Sequence, residues 1–145
     1  MTRDRSVVAG TLMPVLGRLN AWVYRLPFVG ETLVRRQSRA VAALAFHMPL
    51  LGGKSCSSIQ EVKAEWMKFL GRAGISIKVT REDEKEFEFE VEACPWGFRS
   101  PEDLGVCDAC MDLDRTYVRL LGGEMKILES IPSGSACCRE VIRMA

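Results

Sequence analysis

Ile75-Ser-Ile-Lys-Val-Thr-Arg-Glu-Asp-Glu-Lys-Glu-Phe-Glu-Phe-Glu-Val91 decides the fold, because its apolar residues recur at every second position on both sides of a charged centre. Alternation of period two is the pattern of a strand with one wet face. Ile75, Ile77 and Val79 share one face, Arg81 to Lys85 forms the turn, and Phe87, Phe89 and Val91 return on the same face. The stretch therefore predicts an antiparallel hairpin, whose second strand runs straight into Cys94-Pro95-Trp96.

Upstream the period is helical. Leu12, Val15, Leu16, Leu19, Val23 and Leu26 fall at helical spacing up to Pro27, and a second helix is expected from Glu31 to about Met48. Its stripe Leu33, Val34, Val41, Leu44, Ala45 and Met48 is expected to face a core. Ser58-Ile-Gln-Glu61 is a capping box opening a third helix, with Ile59, Val62, Trp66, Phe69 and Leu70 inward and Gly71 or Gly74 as its stop. Downstream, Ser100-Pro-Glu-Asp103 starts a helix expected to continue to Gly122, irregular near Gly105. Strands at 124–131 and 137–144 follow, joined by Pro132-Ser-Gly-Ser135. The expected fold is α+β: N-terminal helices, then ββαββ with an antiparallel sheet covered by helices on one face.

At 145 residues and 48% hydrophobic, the chain suits one domain with one core. Within it, 1–54 reads as a basic amphipathic helical segment packing on the core, and 55–145 as a cysteine-rich α+β core. Charge divides the same way: 1–54 carries eight Lys/Arg against Asp4 and Glu31, net +6, while the remainder is net −5. A protein partner or an anionic surface is the expected contact of 1–54, and nucleic acid is not expected. Arg3 and Arg5 precede the apolar run from Val7 to Leu16, but no small-residue cleavage site follows and Arg18 interrupts it. Ala40 to Leu51 is broken by His47 and Pro49 and falls short of the roughly 20 residues of a spanning helix. A cytoplasmic chain is expected, with peripheral membrane contact through its first helices as an option. The pattern sets no oligomeric state.

Six cysteines without a secretory leader point to metal or redox chemistry rather than disulfides. Cys107 and Cys110 have the C-x-x-C spacing that puts two sulfurs on one helix face. Cys94 ends the first hairpin and Cys137 and Cys138 begin the last strand, so three element ends bring thiols toward one sheet edge. Strand alternation favours Cys138, grouped with Ile142 and Met144, over Cys137. The expected site is Cys94, Cys107, Cys110 and Cys138 holding zinc or an iron–sulfur cluster. Asp108, Asp112 and Asp114 surround the pair; Asp112 and Glu92 are the candidate proton carriers, and Trp96 and Phe98 the candidate lining of a small-molecule pocket. Cys56 and His47 read as structural.

Phe87-Glu-Phe-Glu-Val-Glu-Ala-Cys-Pro-Trp96, Cys107-Asp-Ala-Cys-Met-Asp112 and Gly134-Ser-Ala-Cys-Cys138 together resemble the 4-vinyl reductase-type domain and the L-2-amino-thiazoline-4-carboxylate hydrolase-like family. The resemblance covers roughly the last 60 residues. It implies an α+β small-molecule-binding domain in which Cys94, Cys110 and Cys138 occupy the recurring positions. Ser135 stands where those families usually carry an acid, and Cys107 and Cys137 add sulfur. Three functions follow as expectations: a metal- or iron–sulfur-binding small-molecule or accessory domain; a hydrolase of that type using a thiolate-bound metal or cysteine; and an accessory subunit docking through its basic N-terminal helices.

Overall fold

The computed structural model describes residues 8–50 and 52–145. Arg3, Asp4, Arg5, Val7 and Leu51, which enter the charge and leader readings, lie outside them. A π-helical turn at Val8–Leu12 leads into α1 (Met13–Tyr24), then α2 (Gly30–His47) and α3 (Ile59–Ala73). The hairpin β1 (Lys78–Glu82) and β2 (Glu86–Val91) follows, then α4 (Leu104–Cys110), α5 (Asp112–Leu121), β3 (Gly123–Glu129) and β4 (Cys138–Met144).

The four strands form one antiparallel sheet in the order β1-β2-β4-β3, so the two hairpins meet through β2 and β4. Val79 pairs with Phe89, which puts the apolar residues of β1 and β2 on one face as their alternation requires. That face continues across Phe87, Ile142 and Met125, which are consecutive neighbours in register. It is buried against α3 and α5 through Trp66, Tyr117, Val118 and Leu121. Tyr117 stacks on Phe69 with ring centroids 3.9 Å apart. The fold is thus α+β with helices on one sheet face.

Local signals hold where the chemistry is local. Ser58 Oγ accepts the Glu61 N–H at 3.3 Å, while the Glu61 carboxylate reaches back to the Ser57 N–H at 2.9 Å, one residue earlier than a standard capping box. Gly74, at φ 77°, makes the left-handed stop of α3. The helix expected to run from 101 to 121 is broken at Met111 rather than near Gly105: a 3-10 turn at Pro101–Asp103 precedes α4, and α5 starts anew at Asp112.

The first two helices depart most from the sequence reading. Their inner faces are small and polar: Gly17, Asn20 and Ala21 on α1, and Gly30, Val34, Ser38, Ala42 and Ala45 on α2. Leu33, Val41, Leu44 and Met48, expected inside, are exposed, as are Leu12, Val15, Leu16, Leu19 and Leu26. The cause is close packing. A Cβ at Gly17 would overlap the Trp96 carbonyl, and one at Gly105 would overlap the Tyr24 phenol, so α1 sits too near its neighbours for a leucine face.

Gly17→Val is accordingly expected to lower stability by about 1–3 kcal/mol through overpacking. Gly71 lies inside α3 with open space around its Cβ position. There Gly71→Ala is expected to raise stability by about 0.5–1 kcal/mol. Urea unfolding of both variants checks the pair, and equal effects of one sign would contradict the packing described.

Candidate functional site

The four thiols expected to converge are neighbours, Cys94, Cys138 and Cys110 each acting electrostatically on Cys107, but among the described residues they are not placed to share a metal ion. Cys110, fully buried at the end of α4, turns its Sγ to Asn20 of α1, whose Nδ2 donates to it at 3.4 Å. Cys94, Cys107 and Cys138 line a partly open cavity on the sheet side, and the Cys138 Sγ accepts the Ile131 N–H at 3.4 Å. Among the described residues no group of three or more His, Cys, Asp or Glu side chains is placed to hold a metal ion. This corrects the Cys94, Cys107, Cys110 and Cys138 zinc or iron–sulfur centre, and with it the metal- or iron–sulfur-binding function and a hydrolase built on a thiolate-bound metal. Cys110 shares the unbroken α4 with Cys107, but its thiol is taken up by Asn20 and it does not line the cavity. Burial also disfavours thiolate: it pushes Cys107 and Cys110 up to about 12 and raises Cys94 and Cys138. Cys137 is half-buried. The Cys56 thiol donates to the Lys54 carbonyl at 3.2 Å, and His47 is exposed with its ring edge-on to Phe46.

The cavity measures about 140 Å³ and lies between α3, α5 and the sheet, with Trp66, Phe69, Phe89 and Trp96 among its walls. Two carboxyl groups enter it. Glu140 occupies the helix-facing side of β4, between Phe89 on β2 and Ile127 on β3. It is 5% exposed, and neither it nor Asp114 on α5 accepts a hydrogen bond from the described residues. Burial, with a smaller contribution from Asp114, pushes Glu140 up to about 8; burial, opposed by the nearby Arg115, leaves Asp114 at about 7. Both are thus poised between neutral and charged at physiological pH.

The other sequence-predicted residues fall into separate places. Trp96 lines the cavity, and Phe98, 3% exposed and packed in the core, joins Trp96 and Cys94 in the lining of a second, open cleft edged by Arg18 and Asp103. Glu92 is exposed just beyond β2. Asp112 is occupied: its Oδ1 accepts from Arg35 at 3.2 Å and Arg115 at 3.1 Å, and its Oδ2 from Arg39 at 2.7 Å. Asp108 completes the network, accepting from Arg35 at 2.7 Å and Arg115 at 2.6 Å. Two of the arginines counted toward an anionic contact are therefore used inside the molecule, joining α2 to α4 and α5.

Glu140 had no place in the sequence reading, though its signal was present: Cys138, Glu140 and Ile142 share a strand face by alternation.

A second candidate is the outer surface of α1 and α2. Of the sixteen exposed large apolar side chains among the described residues, all but Met67, Leu104 and Leu128 lie between Leu12 and Leu50. They form stripes: Val15, Leu19 and Trp22 on α1, flanked by Leu12 and Leu26, and Leu33, Val41 and Leu44 on α2, followed by Met48. Trp22 is 65% and Leu44 64% exposed. At the turn between the helices Phe28 stands wholly exposed at φ 68°, a left-handed conformation rare for a bulky side chain. Arg18, Arg25 and Arg36 form no ion pair among the described residues. Among those residues no helix is long and apolar enough to cross a membrane.

No protein-family model matches the chain, and no curated protein matches it. Among solved structures, it is similar over 99% of its length, and 83% of the other chain, to a trafficking protein particle complex subunit 3 from Naegleria fowleri covalently bound to palmitic acid. Identity is 13% and the TM-score 0.40, a likeness too loose to transfer a ligand or a partner.

Proposed function

We propose that the chain is an accessory subunit that docks a partner protein through the outer face of α1 and α2. The observation that carries this is the pair of apolar stripes left exposed on two adjacent helices, since scattered surface leucines are ordinary but contiguous apolar stripes mark interaction sites. Trp22 and Phe28 are the large aromatic side chains that dominate such interfaces.

Charge favours a partner with an apolar helical surface edged by acids. Arg18, Arg25 and Arg36 offer positive groups along the face, and a symmetric pairing with a second copy would bring these like charges together. An anionic lipid surface is less well served, because Arg35 and Arg39 are held by Asp108 and Asp112.

The test replaces Leu44 with a photo-crosslinking phenylalanine in the source cells, identifies the adduct, and rebuilds the pair from two purified proteins. Leu19→Glu and Leu44→Glu are each expected to weaken that affinity by about tenfold or more. Phe28→Gly separates binding from folding: it is expected to weaken docking while raising stability by about 1 kcal/mol, by relieving the left-handed strain. A chain dimeric by light scattering and dissociated by Leu44→Glu, or one that floats with anionic vesicles through Trp22, would overturn the reading.

A further inference from the structure

Nothing in the packing of the sheet accounts for Glu140. Its neighbours in register are Phe89 and Ile127, the helices opposite present mainly aromatic and aliphatic groups together with Asp114, Cys107 and Trp66, whose Nε1–H has no partner among the described residues, and a leucine would suit the position better on packing grounds. Buried carboxyl groups are ordinarily paired or hydrogen-bonded, and among the described residues Glu140 is neither. Asp114 enters the same cavity from α5. Two acids aimed into one apolar cavity form a site with a missing counterpart.

We propose that this cavity binds a small organic cation, a primary or quaternary ammonium on a short apolar body. The walls select that chemistry. Trp66, Phe69, Phe89 and Trp96 present aromatic surface, and a cation gains from the face of such rings as well as from a nearby carboxylate. An anion would meet two acids. A purely apolar guest would leave both carboxyl groups without a partner. Among the described residues no three of the cysteines and acids are placed to hold a metal ion. Size limits the guest as well: about 140 Å³ is well below the roughly 300 Å³ at which drug-sized sites begin. The thiols of Cys94, Cys107 and Cys138 complete the wall as soft, uncharged surface. This site is separate from the outer face of α1 and α2, so the two readings stand or fall independently.

Isothermal titration calorimetry on the full chain near neutral pH tests it, with butylammonium and tetramethylammonium as cations and 1-butanol and butyrate as controls. The expected result is that both cations bind about tenfold or more tighter than 1-butanol, while butyrate gives no heat of binding. Glu140→Gln and Asp114→Asn are near-isosteric, and each is expected to remove that preference while leaving the weak binding of 1-butanol unchanged. If one variant fails to fold, the other carries the comparison. Butanol binding as tightly as butylammonium, cation binding that survives both substitutions, or no heat from either cation at millimolar concentration would each overturn the proposal.

Discussion

Glu140→Gln is expected to raise the melting temperature of the protein by roughly 10 °C in mildly alkaline buffer, and to change it little near pH 5. Glu140 sits between Phe89 and Ile127 on the covered face of the sheet, so ionising it places a charge where the surroundings solvate it poorly. Its folded value of about 8 lies above the value near 4.3 of a carboxyl in an unfolded chain. The folded protein therefore holds more protons than the unfolded one throughout that window, and stability must fall as pH rises through it. The favourable contribution is complete below the unfolded value and gone above the folded one. Asp114, at about 7, adds to the loss in the same direction. The other groups facing the pair are Arg115, whose charge opposes the shift of both acids, and the thiols of Cys94, Cys107 and Cys138, which burial keeps protonated. An amide has no charge to acquire, so the variant keeps what the wild type loses, on the order of 3 kcal/mol. Glu140→Met is expected to stabilise at both ends of the range, since it also removes the unpaired polar group. Thermal melts of wild type and both variants from about pH 5 to pH 9 check this. Parallel curves for wild type and Glu140→Gln would show that Glu140 binds its proton equally well in the folded and the unfolded chain, so that burial does not raise it.

Elements written in local chemistry were legible in the sequence, and directions set by distant packing were not. Alternation from Ile75 to Val91 identifies the first hairpin and its inner face, although the ladder begins only at Lys78. The Ser58 cap and the Gly74 stop follow from hydrogen-bond supply and backbone conformation within a few residues. The cysteines show the contrast. C-x-x-C spacing places two sulfurs on one side of a regular helix, and α4 holds both, but Asn20, ninety positions earlier, occupies the Cys110 thiol while Cys107 lines the cavity. Scoring β4 by Cys138, Ile142 and Met144 passes over the acid between them, because alternation assigns faces regardless of chemistry and a glutamate on an apolar face looks like noise. The stripes of α1 and α2 fail for a third reason. An amphipathic pattern says that one face leaves water, without saying whether it meets this chain's core or another molecule. Gly17, Ser38 and Ala42 carry the packing inside, and the leucines remain outside.

The position of that outer face depends on Asp112, and the second large effect is expected there. The Asp112 side chain is 8% exposed and touches three arginines, two from α2 and one from α5. Asp108, half exposed, shares Arg35 and Arg115 with it but does not reach Arg39. The Arg35 and Arg115 hydrogen bonds hold Asp108 below the ordinary carboxylate range, against the burial that would raise it. Removing the inner acid leaves Arg35 with Asp108 and Glu31, Arg115 with Asp108 alone, and Arg39 with no ion-pair partner among the described residues. Asp112→Ala is therefore expected to cost about 3 kcal/mol, as for breaking a buried pair from one side. Asp108→Ala is expected to cost about 1 kcal/mol or less, as water can replace an exposed carboxylate. Adding Arg39→Ala to Asp112→Ala should recover part of the loss, because it removes one of the stranded charges. The local consequence is that α2 loosens from α4 and α5, so its amides should exchange faster with solvent while those of β2 and β4 keep their protection. Urea unfolding gives the energies and hydrogen exchange gives the location. Equal costs for Asp112→Ala and Asp108→Ala, with no change confined to α2, would mean that the arginine network does not hold the helix in place.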